Sequence, residues 1–349
     1  MKIIKWLKPV IGLAAVGLLL NGCEKTIIGT EEPDNPIQNF ELVWKIFDEH
    51  YGMFEVKNID WGKEYQLYRP LLNEHSGDAD LYAVLTSMLK IFNDNHVTLH
   101  TTDRHLPTFR SGILGNPPYS FQEDFNVDVI INSYVPNLKE ESGDISYGII
   151  APYNIGYILI FRAEESLSKT ENTIDQIIEK LKDTKGIIVD IRPHSGGYDY
   201  LGQYIAGKFA ASKKLYMTSK RKNGPAHTDF TETLNWYVEP TGESQYLKKV
   251  ILITSRFTMS GAETFALAMK QNDQIKQLGD TTSGAFSDQI TTEMYNGWLL
   301  SLSVGDYRAA DGLSYEGIGL APDYYIVATK AELDLGQDKP LELAIDKLK

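Results

Sequence analysis

The stretch from Val250 to Gln271, VILITSRFTMSGAETFALAMKQ, constrains the fold more than any other part of the chain. The apolar or β-branched run Val250 to Thr254 reads as a buried strand. From Gly261 the pattern becomes alanine-rich, with Ala262, Phe265, Ala266 and Met269 at helical spacing. Ser260 sits at the join. There its hydroxyl is raised out of the backbone beside the unpaired N–H groups of a helix's first turn, which suits a nucleophile with room for an oxyanion next to it. The same place is also the ordinary one for an N-capping serine, so other segments have to decide the chemistry.

A second unit of the same kind lies upstream. Gly186 to Ile191 (GIIVDI) reads as a strand, Arg192 to Tyr198 (RPHSGGY) as a glycine turn, and Leu201 to Phe209 as a helix. Gly148 to Ile150 and Ile155 to Phe161 read as a hairpin-like pair, and Ser166 to Lys182 as a helix with Ile174, Ile177, Ile178 and Leu181 on its apolar face. Strand, turn and helix repeated with helical crossovers predict an α/β fold with a parallel or mixed sheet and a site at the strands' carboxyl ends.

Around this core, Phe40 to Phe92 has helical periodicity, and its aromatic stripe (Phe47, Tyr51, Phe54, Trp61, Tyr65, Tyr68) reads as core rather than ligand cage. Val97 to Thr101 and Val127 to Tyr134 read as strands. Asn296-Gly297 signals a hairpin between Ile290–Tyr295 and Trp298–Val304, and Pro340 to Lys349 reads as a terminal helix.

The beginning of the chain has a different character. Lys2, Lys5 and Lys8 precede an apolar run from Pro9 to Leu20, too short to span a bilayer comfortably, and Leu20-Asn21-Gly22-Cys23 follows. That ending resembles a bacterial lipobox, which implies that residues 1–22 are a lipoprotein signal peptide and that Cys23 is lipidated, anchoring an exported cell-envelope protein to a membrane. Cys23 is the only cysteine, so neither an intrachain disulfide nor a cysteine metal site can form. Residues 23–38, rich in acid and proline, read as a flexible tether. Loss of residues 1–22 removes three lysines and no acid, so the formal charge of −13 becomes −16 and nucleic acid is not expected as a partner. The predicted organisation is a small helical domain over 39–93 followed by an α/β domain over 94–349.

Four segments taken together resemble one family. GIIVDIRPHSGG at 186–197, TMSGAE at 258–263, DGLSYEGIGLAPD at 311–323 and NDNHVTL at 93–99 are similar, in order and spacing, to motifs of the serine peptidases that include the C-terminal processing peptidases and the tricorn core. The resemblance implies a crotonase-like sheet and hydrolysis of peptides or unfolded proteins. In the processing-peptidase branch a lysine two dozen residues after the serine is the base. Here that position is Ala285, which favours the histidine-dependent, tricorn-like branch.

The resemblance thus carries Ser260 as nucleophile, His96 as general base and Glu316 as a group that orients the site, or as a merely structural acid. Backbone N–H groups of Gly261 and of Gly196 or Gly197 would bind the oxyanion. His100 is the rival to His96, since it lies on the same predicted strand face. His194 reads as a solvated loop histidine, Glu263 as a helix N-terminal acid, and Asp190 and Arg192 as turn-stabilising residues. No segment between His100 and Ile155 reads clearly as a PDZ-like domain. No ligand-spaced cluster suggests a metal, and no cofactor is expected. Two other readings remain: a peptidase-like scaffold that binds peptides or apolar ligands without cleaving them, and a crotonase-like acyl-CoA enzyme.

Overall fold

A computed structural model describes residues 35–115 and 119–349. The signal peptide, Cys23 and most of the predicted tether lie outside the described residues. In chain order the strands are β1 (Thr98–His100), β2 (Phe109–Arg110), β3 (Lys139–Glu140), β4 (Ile145–Ile150), β5 (Ile155–Ile160), β6 (Ile187–Asp190) and β7 (Lys214–Arg221). They continue with β8 (Leu234–Val238), β9 (Val250–Thr254), β10 (Ile275–Gly279), β11 (Gln289–Glu293), β12 (Leu299–Ser303), β13 (Gly305–Ala309) and β14 (Tyr324–Tyr325). The helices are α1 (Pro36–His50), α2 (Phe54–Lys57), α3 (Trp61–Tyr68), α4 (Asp78–Leu89), α5 (Val127–Val129), α6 (Leu167–Leu181), α7 (Asp199–Gly207), α8 (Gly261–Lys270), α9 (Lys330–Asp334) and α10 (Lys339–Leu348).

A seven-stranded mixed sheet in the order β14-β10-β9-β6-β5-β4-β3 is the centre of the α/β part. β5, β6, β9 and β10 run parallel, and β4 joins β5 as an antiparallel hairpin. Both faces of this sheet are covered, which is why its strands read as unbroken apolar runs. Val250 and Leu252 point to the side packed by α6, α7 and α8, through Ile174, Ile205 and Phe265. Ile251 and Ile253 alternate to the other side, against Leu341, Ala344 and Ile345 of α10.

The N-terminal helices do not close a core among themselves. Phe40, Phe47, Tyr51, Trp61 and Phe92 share one buried cluster with Leu99 of β1, Leu300 and Leu302 of β12, and Trp298. This carries the helical segment onto the four-stranded sheet β11-β12-β1-β2. The hairpin expected at Asn296-Gly297 is present as β11 and β12, with Gly297 at φ 77°. A three-stranded sheet, β13-β7-β8, forms the remaining wall.

Two sequence expectations need correction. Helix α1 begins at Pro36, inside the segment read as tether, because the Asn35 side chain accepts the Gln38 N–H and proline at the first turn gives up no needed hydrogen bond. Val127 to Tyr134 is helical, not a strand. The Asn126 side chain caps it at the Asp128 N–H, and a wide turn closes it with Val135 N–H donating to the Ile130 carbonyl at 2.8 Å. The apolar residues that suggested a strand put Ile130 and Val135 into the core beneath the seven-stranded sheet.

Candidate active site

At the β9–α8 corner the chain is tied to the end of β6. Ser255 Oγ donates to the Arg192 carbonyl at 2.8 Å and Thr258 Oγ1 to the Ile191 carbonyl at 3.0 Å. The two strand ends are thus held side by side. Ser260 adopts φ 57°, ψ −129°, a left-handed conformation that costs a non-glycine residue of order 1–3 kcal/mol and persists only when its surroundings impose it. They do so here: its N–H donates to the Ala285 carbonyl at 2.8 Å, and its own carbonyl accepts the Glu263 N–H at 2.7 Å.

The glycine turn lies directly against this corner. Gly196 and Gly197 have φ of 119° and 136°. A Cβ on Gly196 would stand 2.8 Å from Ser260 Cβ and 3.2 Å from its Oγ. One on Gly261 would meet the Gly197 carbonyl at 2.5 Å. Only hydrogen fits at either place. The N–H of Gly196 is taken: it donates to His194 Nδ1 at 3.1 Å. Among the described residues the N–H groups of Gly197 and Gly261 have no partner.

His194 is therefore not a solvated loop residue. It is 2% exposed, and burial pushes its imidazole down to about 3, so the ring stays neutral and Nδ1 remains free to accept. Nothing in the local pattern gave this away, because the turn that buries it is packed by Met259, whose N–H donates to the His194 carbonyl.

His96 comes from a turn before β1. Asp94 Oδ1 accepts its backbone N–H at 2.8 Å, and Asn95 is locked by Nδ2 donating to Ser283 Oγ at 2.7 Å and Oδ1 accepting from Leu114 N–H at 3.0 Å. The ring is buried, its Nδ1 has no partner, and burial with help from the Arg110 charge lowers its pKa, while Asp94 and Asp288 oppose this. Glu316 is also buried. Its Oε2 accepts the Phe286 N–H at 2.8 Å, its Oε1 has no partner, and burial together with the Asp94 charge holds the carboxyl well above the usual range.

His96 and Ser260 line one cleft of about 1000 Å³, together with Gly196, Gly197 and His100. Glu316 lies outside its lining. Among the described residues no hydrogen bond joins Ser260 to His96 or His96 to Glu316. His100, the rival, is exposed at the cleft rim, with Nδ1 against Thr108 Oγ1 at 3.2 Å. Ala285, at the position where a Ser-Lys site would need its base, is buried and contributes only its carbonyl to Ser260. The cation that lines the cleft is Arg110.

Glu263 does more than face a helix dipole. Fully buried, it accepts from Thr282 Oγ1, and from the N–H groups of Gly284 and Ala285 at 2.7 Å each. It therefore fastens the loop whose carbonyl positions Ser260. Burial outweighs these donors and pushes its carboxyl up to about 7. Asp190 and Arg192 behave as the sequence suggested: Arg192 Nη2 contacts Asp190 at 2.6 Å and Asp338, the N-cap of α10, at 2.9 Å, all three being buried.

With this geometry in place, comparison with known proteins is informative. The model of the peptidase family S41 matches residues 154–326, and that of the tricorn protease C1 domain matches residues 33–90. Residues 154–326 thus carry the pattern of peptidase family S41. The chain is similar in this respect to serine peptidase hydrolases. It is 27% identical over 187 residues to the carboxy-terminal processing protease CtpA of Bacillus subtilis (strain 168), a match covering 54% of this chain and 37% of that relative. The chain thus spans a little over a third of that relative's length. A putative peptidase from Parabacteroides merdae ATCC 43184 superposes with a TM-score of 0.78 at 27% identity, over 90% of this chain and 97% of that one. Mature CPAF in complex with lactacystin gives a TM-score of 0.65 at 10% identity over 90% of this chain and 97% of that one, a likeness of fold alone.

Proposed function

We propose that this S41 chain is an exported, lipid-anchored serine endopeptidase that cleaves extended peptide or unfolded protein through an acyl-enzyme on Ser260. The observation that carries the proposal is a serine held in a strained strand-to-helix corner, pressed against a glycine turn, on the same cleft as a buried histidine. In this reading His96 takes the Ser260 proton through Nε2 as the hydroxyl attacks the scissile carbonyl. The lowered pKa of His96 keeps it unprotonated and ready at neutral pH. The Gly261 and Gly197 N–H groups, both free, receive the oxyanion, with Gly196 supplying close approach rather than a donor.

For Nε2 to act as base, Nδ1 must carry the hydrogen and meet an acceptor. Glu316, its carboxyl ionised when the ring's N–H stands beside it, offers Oε1 as that acceptor, since each is a buried polar atom without a partner and unpaired buried groups of complementary type are costly apart. As the imidazolium forms, its charge favours the ionised carboxylate and the pair strengthens. His96 then returns the proton to the leaving amine, and water repeats the sequence to release the acyl group.

Turnover of a fluorogenic peptide by the whole chain tests this. Ser260→Ala and His96→Ala should each abolish hydrolysis with the thermal transition preserved. Absence of cleavage in a well-folded wild-type sample, across peptides of varied sequence, would leave the scaffold as a binding protein.

A further inference from the structure

A second cavity, of about 530 Å³, opens beside the cleft and shares Gly197, Tyr198 and Asp288 with it. Its wall includes Gly197, whose N–H is free, so whatever fills it stands next to the scissile bond. Tyr198 and Tyr200 form its lip, their rings stacked at 5.4 Å and 21° and both exposed, while Trp236 and Tyr307 line the interior. Asp199 lies among these rings. One of its oxygens, Oδ1, accepts from Thr264 Oγ1 at 2.7 Å, and Oδ2 has no hydrogen bond among the described residues.

The cations nearby are already engaged. Arg221 pairs with Asp288 at 3.1 Å, and Lys220 pairs with Asp306 at 3.5 Å and lies over the Phe230 ring at 4.3 Å. Asp199 has no ion pair among the described residues, and burial pushes its carboxyl up to about 6 although it opens a helix whose dipole favours the anion. A carboxylate short of a cation, walled by aromatic rings, suits a long basic side chain: the alkyl stem packs on the rings and the charged end reaches Oδ2.

We propose that this cavity is a specificity pocket for a lysine or arginine side chain flanking the scissile bond, with Asp199 as the residue that reads the positive charge. The proposal rests on the peptidase reading of the adjoining cleft, and its test separates the two. Peptides identical except for Lys, Arg, norleucine or Glu beside the scissile bond are compared by kcat/KM. The basic peptides should lead norleucine by about 10- to 100-fold, the range of a charge-assisted hydrogen bond. Asp199→Asn should shrink that ratio to within about threefold. Thr264→Val, which removes the hydroxyl but leaves the carboxylate, should keep it.

Binding to Ser260→Ala, measured by calorimetry with the Lys and norleucine peptides, repeats the comparison without catalysis. Tighter binding of the Lys peptide, lost in Ser260→Ala/Asp199→Asn, supports the pocket even if no peptide is turned over. Equal treatment of Lys and norleucine, a preference for Glu, or an equal loss for all peptides in Asp199→Asn would overturn it while leaving hydrolysis at Ser260 standing.

Discussion

Replacing Glu263 by glutamine tests how Ser260 is held. Glu263 Oε1 accepts from Thr282 Oγ1 and Gly284 N–H, and Oε2 accepts from Ala285 N–H. An amide NH2 in the Oε1 place can donate to Thr282 but turns a donor on Gly284 N–H, and in the Oε2 place it does the same to Ala285. Either way one buried N–H loses its acceptor, at a cost of about 1–3 kcal/mol. For a chain of this size that lowers Tm by roughly 2–6 °C. Because the Ala285 carbonyl holds the Ser260 N–H, reactivity should fall with it.

The pH dependence gives a second reading of the same substitution. The Glu263 carboxyl is raised from 4.5 to about 7 by burial, so its folded value lies above that of the unfolded chain. Its contribution is then full below about pH 4.5 and is lost as pH rises through about 7, on the order of 3 kcal/mol across that window. Glutamine does not titrate. Thermal denaturation followed by circular dichroism between pH 5 and pH 8 should show wild type and Glu263→Gln far apart at the acid end and converging toward the alkaline end. A Tm gap that is absent, or that widens with rising pH, would refute this account of the buried carboxyl.

Other outcomes follow from the same geometry. With His96 lowered by burial, kcat/KM should lose its acid limb below pH 6.5, and Arg110→Gln, which removes a charge that lowers it further, should move that limb upward; both are read from a pH–rate profile. Gly196→Ala should cut kcat/KM by about 100-fold, because a Cβ at 2.8 Å from the Ser260 Cβ displaces that side chain, and active-site titration would show it. Asp338→Ala leaves Arg192 with half its buried partners and should destabilise the fold by about 3–5 kcal/mol in a urea titration.

The α/β core was legible because burial on both faces leaves an unmistakable mark: Val250–Thr254 and Ile187–Asp190 are apolar without interruption. The Ser260 corner was legible for the same reason, since composition changes abruptly where strand becomes helix. Val127–Tyr134 was not, because its apolar residues satisfy a strand pattern equally well and only the Asn126 cap decides. The supports of the site were hidden more deeply. Glu263 meets residues 282–285, and His194 meets Gly196 only after the turn folds over it, contacts that neither periodicity nor spacing encodes. Which of the two turn glycines keeps a free N–H depends on that histidine, so the sequence left Gly196 and Gly197 as equals.

The central claim is that Ser260 is activated by His96. Incubation of the purified chain with a fluorophosphonate, followed by peptide mass mapping, addresses it directly. The expected result is a single adduct on Ser260, formed at a rate that drops to background in His96→Ala and is unchanged in His100→Ala. An adduct that forms equally fast without His96, or that depends on His100 instead, would contradict the account.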